Sequence, residues 1–180
     1  MRYVNEPTPG STADLGDDAD PEQVARTILL RRLSSAPRTR QELADDLRKR
    51  GLPDDVAERV LNRFTEVGLI DDAEYAQMWV NSRQRTRGTA RSVLRQELRA
   101  KGVSDDDALP ALDGIDPEAE RQRARGLVEA KAARMSSADV ATRSRRLVGM
   151  LVRRGYPSGI AYAVVSDVLA AEHDDSGAVE

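Results

Sequence analysis

The side chains of this sequence best suited to chemistry are its arginines. Between positions 83 and 101, Arg83, Arg85, Arg87, Arg91, Arg95, Arg99 and Lys101 are answered by one acid, Glu97. Arg143, Arg145, Arg146, Arg153 and Arg154 follow later with no acid from 143 to 154. A guanidinium is permanently charged, and its forked donors match phosphate and carboxylate oxygens, so such clusters suit contact with an anion. Arg91, Arg95 and Arg99 are spaced i, i+4, i+8. On a helix this is a ridge of like charges, slightly destabilising unless a negative partner neutralises it. The matching stretch nearer the N-terminus mixes Arg40, Arg48, Lys49 and Arg50 with Glu42, Asp45 and Asp46, and reads as balanced surface. Single surface arginines are common and need no partner; the clusters point to one. That partner is either nucleic acid or an acidic protein groove. Phosphate contact would be salt dependent and largely indifferent to base sequence. Trp79 and Tyr75 fall on an apolar helix face and are expected in the core, which leaves few rings for stacking on bases.

Other chemistries lack their parts. There is one histidine, His173, and no cysteine, so imidazole or thiolate zinc sites and disulfides are not expected. The glycines are scattered at turns and form neither a phosphate-cradling loop nor a dinucleotide fingerprint. Asp45-Asp46, Asp54-Asp55 and Asp71-Asp72 fall at helix starts or on polar faces, where the helix N-terminus favours negative charge. Nothing brings carboxylates together as a metal-dependent nuclease requires. The reading is a protein without catalytic residues, metal or cofactor.

The elements that must hold the arginines are visible in a phrase used three times. Two leucines four apart are followed four residues later by glycine: Leu43, Leu47, Gly51; Leu94, Leu98, Gly102; Leu147, Leu151, Gly155. Leucines at i and i+4 share a helix face, and the glycine supplies a left-handed C-cap. An apolar or aromatic residue follows each glycine: Leu52, Val103 or Tyr156. Each copy opens with its own amphipathic segment, about Pro21 to Ser34 with Val24, Ile28 and Leu29, then about Asp72 to Arg85 with Tyr75, Ala76, Trp79 and Val80. Pro117 opens the third, which runs toward Ala133. Each copy closes with a further helix, carrying Val56, Val60 and Leu61, then Ala108, Leu109 and Leu112, then Ile160, Val164 and Val165.

The predicted fold is therefore all-α, an elongated, curved array of three tandem three-helix units with nine helices. Its expected divisions are an acidic disordered tail at 1–21, units at 22–70, 71–115 and 116–171, and an acidic tail at 172–180. Period-two alternation is nearly absent, which disfavours strands. Pro110 is expected to break or shorten the last helix of the second unit, whose start is crowded by Asp105, Asp106 and Asp107. Thr39 to Arg50 and Asp54 to Phe64 resemble a helix-turn-helix, but Asp71-Asp72 leads into another helix where a winged DNA reader would place a hairpin.

A three-helix unit is too small to bury a large core alone, so neighbouring units are expected to share cores and favour a monomer. The formal charge of −3 conceals a division. Residues 1–22 carry six acids against one base and residues 172–180 carry four acids, leaving 27 basic against 21 acidic residues at positions 23–171. The acidic N-terminal stretch reads as a solubilising tail or as a mimic that masks the basic surface. No apolar run approaches a membrane span and no signal-peptide pattern is present, so cytoplasm is the expected location.

The stretch Gly68-Leu69-Ile70-Asp71-Asp72-Ala73-Glu74-Tyr75-Ala76, followed by Trp79, Val80, Arg83 and Gly88, and then by Leu94, Glu97, Leu98, Lys101, Gly102 and Val103, resembles the RecX family of bacterial recombination regulators. The resemblance covers about residues 22–171. It implies a three-unit helical protein that lies in the groove of the RecA recombinase filament on single-stranded DNA. There it would interfere with strand exchange, ATP hydrolysis and stimulated repressor cleavage, without hydrolysing anything itself. Gly68, Asp71, Asp72, Tyr75, Ala76, Gly88, Leu98, Lys101 and Gly102 match the family's pattern, and many of them look fold-setting, as does Leu94 in the repeated phrase. The runner-up reading is an independent DNA-binding protein acting through its basic helices; a third is a helical adaptor with an exposed apolar groove and salt-tolerant binding.

Overall fold

The computed structural model describes residues 20–135 and 139–177, with side chains as far as 172. The described residues form nine helices and no strand: α1 Pro21–Ser35, α2 Arg40–Lys49, α3 Asp54–Glu66, α4 Asp72–Arg87, α5 Arg91–Ala100, α6 Asp105–Asp113, α7 Pro117–Ala132, α8 Val140–Arg153 and α9 Ser158–Gly177. The all-α fold of tandem three-helix units is thus as read. The acidic N-terminal stretch lies outside the described residues up to position 19, and Asp20 caps α1. At the other end α9 continues past 172 to Gly177.

The repeated phrase is a helix terminus made three times. Leu43, Leu47, Leu94, Leu98, Leu147 and Leu151 are all fully buried. Gly51, Gly102 and Gly155 have φ of 74°, 79° and 89°. In each copy two bonds close the turn, from the glycine N–H to the carbonyl three residues back and from the next N–H to the second leucine's carbonyl. For Gly102 they run to Arg99 at 2.9 Å and, from Val103, to Leu98 at 3.0 Å. This is the six-to-one and five-to-two pairing of a Schellman terminus, with Leu52, Val103 and Tyr156 folded back into the core.

Two of these turns also dock. The Gly102 turn meets the start of α2, where the Thr39 hydroxyl donates to the Lys101 carbonyl at 2.7 Å. A Cβ on Gly102 would lie 2.3 Å from the Gln41 Cβ. The Gly155 turn meets the start of α5 in the same way. There the Ala90 N–H donates to the Arg154 carbonyl at 3.1 Å and the Ser92 hydroxyl to the Gly155 carbonyl at 2.6 Å. A Cβ on Gly155 would lie 2.4 Å from Val93 Cγ2. Gly51 has nothing within 4 Å of that position. Each later repeat is therefore seated on the one before it through a glycine.

The chain divides into two compact bodies, and each helix of the middle repeat contributes to both. The first ends at Ala76 and includes Leu98–Ala108; the second comprises Gln77–Glu97 and the chain from Leu109 onward. The first is centred on Leu29, Leu43, Leu47, Val60, Leu61 and Phe64. The second is centred on Val128, Leu147, Leu151, Val164 and Val165, and takes in Ala90 from the middle repeat.

Three expectations need correction. Pro110 does not break α6, which runs as nine residues around it; the other half of that expectation fits, since α6 is the shortest of the described helices and ends three residues after the proline. Leu109 and Ile160 are 37% and 40% exposed, because the core face is filled by Ala108, Ala111 and Leu112 in α6 and by Ala161, Val164, Val165 and Val168 in α9. Trp79 is only half-buried, edging the core while its indole reaches a carboxylate.

Candidate anion-contacting surface

In the first body, the basic residues of the 83–101 cluster, Arg99 and Lys101, are occupied. Thr39 caps α2 with both halves of a capping box: its hydroxyl accepts from the Glu42 N–H at 3.1 Å and Glu42 Oε2 accepts from the Thr39 N–H at 3.3 Å. Glu42 Oε1 then accepts from Lys101 Nζ at 2.7 Å, and the ammonium lies 5.7 Å from the centre of the Tyr75 ring. Burial alone would lower the Lys101 pKa, but its bonds to Glu42 and Tyr75 prevail and raise it. Asp72, in the first turn of α4, accepts from the Arg40 N–H at 2.9 Å, and burial raises its carboxyl pKa. Asp71 receives the Glu74 N–H at 2.8 Å and so caps the same helix. Arg99 is held by Asp105 through two bonds of 3.0 and 2.5 Å. Tyr75, Ala76 and Leu98 are buried, and Gly102 and Gly68 have φ of 79° and 72° just past the ends of α5 and α3.

In the second body several predicted arginines also have counterions. Arg83 Nε lies 3.2 Å from Glu97, its guanidinium 4.2 Å from the centre of the Trp79 ring, and the Trp79 indole N–H donates to Glu97 at 2.7 Å. Arg91 pairs with Asp113, and its backbone N–H donates to Glu120 at 2.8 Å. Arg143 pairs with Glu172. Arg95 is exposed and makes a contact of its own. The expected ridge of uncompensated charge is corrected accordingly: acids on α6 neutralise both ends, Asp113 at Arg91 and Asp105 at Arg99.

What remains is a smaller set. Arg85, Arg87, Arg145, Arg146 and Arg153 are exposed, with no ion pair among the described residues. They come from two distant segments that the fold joins. The Arg154 guanidinium donates to the Arg87 carbonyl at 3.3 Å and the Tyr156 hydroxyl donates to the Gly88 carbonyl at 3.0 Å, tying the C-terminal ends of α4 and α8 together. Arg87 and Arg153 therefore stand in the last turns of joined helices, where cations also favour the helix dipole. Arg145 and Arg153 lie two turns apart on α8 with Gly149 between them, and Arg153 Nη1 lies 3.2 Å from where a Gly149 Cβ would be.

No group of three or more His, Asp or Glu able to hold a metal occurs among the described residues, and none of their helices is long and apolar enough to cross a membrane. Sequence reasoning passed over Tyr162, an exposed ring on α9. Its i, i+1 relation to the buried Ala161 marks it as a flank position.

Family models described as the first and second three-helix domains of RecX match residues 25–64 and 71–112. A regulatory protein RecX of Thermobifida fusca is 49% identical over 160 residues, covering 87% of this chain and 86% of its own length. That of Mycobacterium marinum is 51% identical over 154 residues, covering 85% and 89%. That of Streptomyces coelicolor is 46% identical over 170 residues, covering 94% and 90%. The crystal structure of RecX from Lactobacillus salivarius superimposes with a TM-score of 0.76 at 24% identity, covering 83% of this chain and 97% of that one. A second crystal structure, of a regulatory protein RecX, gives 0.73 at 26% identity, covering 82% and 72%.

Proposed function

The chain belongs to the RecX family of regulatory proteins, and on that premise we propose that it is a non-enzymatic inhibitor of the RecA recombinase. In this reading it binds in the groove of the RecA filament on single-stranded DNA and restrains ATP turnover and strand exchange in the cytoplasm. The observation that carries the reading is the set of exposed arginines without counterions at the joined ends of α4 and α8 and along α8. A filament on DNA presents phosphate and carboxylate groups that such a set can neutralise. Arg99, Arg91, Lys101 and Arg143, already paired with Asp105, Asp113, Glu42 and Glu172, would have to give up an existing ion pair first.

Inhibition follows if the bound protein touches adjacent recombinase subunits. A ligand that binds one arrangement of two subunits better than another shifts the population toward it, and turnover that needs both arrangements slows. The test is a titration of the chain against RecA filaments and against bare single-stranded DNA at matched salt, with ATP hydrolysis followed in parallel. Tighter binding to the filament together with slowed hydrolysis supports the reading. Equal affinity for both targets, with hydrolysis unchanged, would assign the arginines to DNA alone.

A further inference from the structure

Tyr162 differs from every other aromatic residue among those described. Phe64, Tyr75 and Tyr156 are buried, and Trp79 is half-buried against Arg83 and Glu97. Tyr162 is 61% exposed, and its hydroxyl has no hydrogen-bond partner among the described residues. Exposing a ring forfeits the burial that would otherwise make it useful to the core, and nothing in the packing of α9 requires an aromatic at this place.

Its position follows from the helix pair that carries it. Arg143 near the start of α8 pairs with Glu172 late in α9, while a four-residue turn joins the opposite ends, so the two helices are antiparallel. Extending that pairing along the two helices puts Arg153 level with Tyr162 and Arg146 level with Leu169, and Leu147, Leu151, Val164 and Val168 share the core between them. Around α9, Asp167 marks the flank facing α7, where it meets Arg121 at 3.3 Å. Tyr162 is five residues away and so turned by roughly 140°, toward the opposite flank. Around α8, Arg146 and Arg153 are seven residues apart and share a face. Arg146 is one turn beyond Arg143, which reaches α9. The ring is thus exposed at the level of Arg153, an arginine that lacks a counterion, while Arg146, which also lacks one, lies two turns back along the same face of α8.

We propose that Tyr162 is a base-stacking platform that, with Arg146 and Arg153, makes the second body select single-stranded over double-stranded nucleic acid. The proposal rests on the reading of those arginines as anion contacts and adds what that reading lacks. Phosphate contacts alone do not separate single from double strands, since both carry the charge. A ring does, because only an unpaired base offers a free face to stack upon.

The experiment uses the full chain and measures binding of a fluorescent oligothymidylate, an abasic strand of equal length and a duplex, all at the same salt. Tyr162→Ser is expected to weaken oligothymidylate binding roughly 5- to 100-fold while moving the abasic strand and the duplex by less than about twofold. Tyr162→Phe is expected to bind like the parent, because stacking needs the ring and not the hydroxyl. An Arg146→Gln/Arg153→Gln variant is expected to weaken all three ligands, abasic strand included. The idea is overturned if the parent binds no oligothymidylate, if Tyr162→Ser leaves that binding intact, or if it weakens all three ligands alike. Matching thermal melts of Tyr162→Ser and the parent establish that folding is unchanged, as exposure of the ring predicts. Should the ring matter while RecA hydrolysis is unaffected by the parent chain, the inhibitor reading falls and the stacking platform stands.

Discussion

Replacing the three repeat glycines by alanine, one at a time, separates two demands that the same residue meets. At each position alanine must adopt positive φ, which costs about 1–2 kcal/mol. At Gly51 that is the whole cost, since the space around it is open. At Gly102 the new Cβ would lie 2.3 Å from the Cβ of Gln41, an atom fixed by its own backbone, so the Gly102 turn must lift away from α2. Doing so strains the 2.7 Å bond from Thr39 to the Lys101 carbonyl. Overpacking of this kind costs about 1–3 kcal/mol more. At Gly155 the clash is with Val93 Cγ2 at 2.4 Å and Ser92 Oγ at 2.8 Å. Serine can turn aside but a valine in a helix holds one rotamer, so the added cost is similar in kind and somewhat smaller. The expected losses are about 1–2 kcal/mol for Gly51→Ala and about 2–5 kcal/mol for each of the others, Gly102→Ala being the largest. Urea denaturation followed by far-ultraviolet circular dichroism, with Trp79 fluorescence as a second probe, gives the three values. Equal losses at all three positions would refute the docking role of the later two turns.

Other perturbations test the remaining links. Thr39→Val removes a fully buried hydroxyl that both caps α2 and satisfies the Lys101 carbonyl, and should cost about 1–3 kcal/mol in the same denaturation assay, with Thr39→Ser recovering most of it. Asp46, whose pKa is lowered chiefly by its hydrogen bond to Arg32, contributes stability above the ordinary carboxylate pKa that is lost as pH falls through its depressed folded value. Asp46→Asn should therefore destabilise at neutral pH and flatten the acid limb of a stability profile. Asp72 has the opposite sign: burial raises its pKa, so its contribution is present at low pH and is lost as pH rises through the folded value. Asp72→Asn, which can still accept from the Arg40 N–H, should raise stability at neutral pH relative to its effect at pH 3.

Much of the fold could be read before any coordinates because its determinants are local. A leucine pair one turn apart and a glycine one turn later specify a helix end from nine consecutive residues, and all three ends formed with the expected burial and positive φ. Phase at helix flanks was less legible. Leu109 and Ile160 each neighbour a small residue, Ala108 and Ala161, that takes the core position, and hydrophobicity alone favours the larger side chain. The arginine surface was the hardest to read, because counterions come from far along the chain. Arg83 finds Glu97, Arg91 finds Asp113, Lys101 finds Glu42 and Arg143 finds Glu172. Counting acids within a window cannot see such pairs, and the run at Asp105 to Asp107 looked like dipole chemistry alone until Asp105 met Arg99.

The central claim is that unpaired, not merely numerous, arginines carry the contact with the recombinase filament. Two full-length variants decide it: Arg145→Gln/Arg146→Gln/Arg153→Gln, drawn from the unpaired set, and Arg91→Gln/Arg99→Gln, drawn from the paired one. Each is titrated against RecA filaments on single-stranded DNA with ATP hydrolysis as the readout and circular dichroism as the check on folding. The first variant should lose inhibition, its residual binding should depend less steeply on salt, and the second should stay close to the parent. Inhibition that survives in the first variant and disappears in the second would contradict the account.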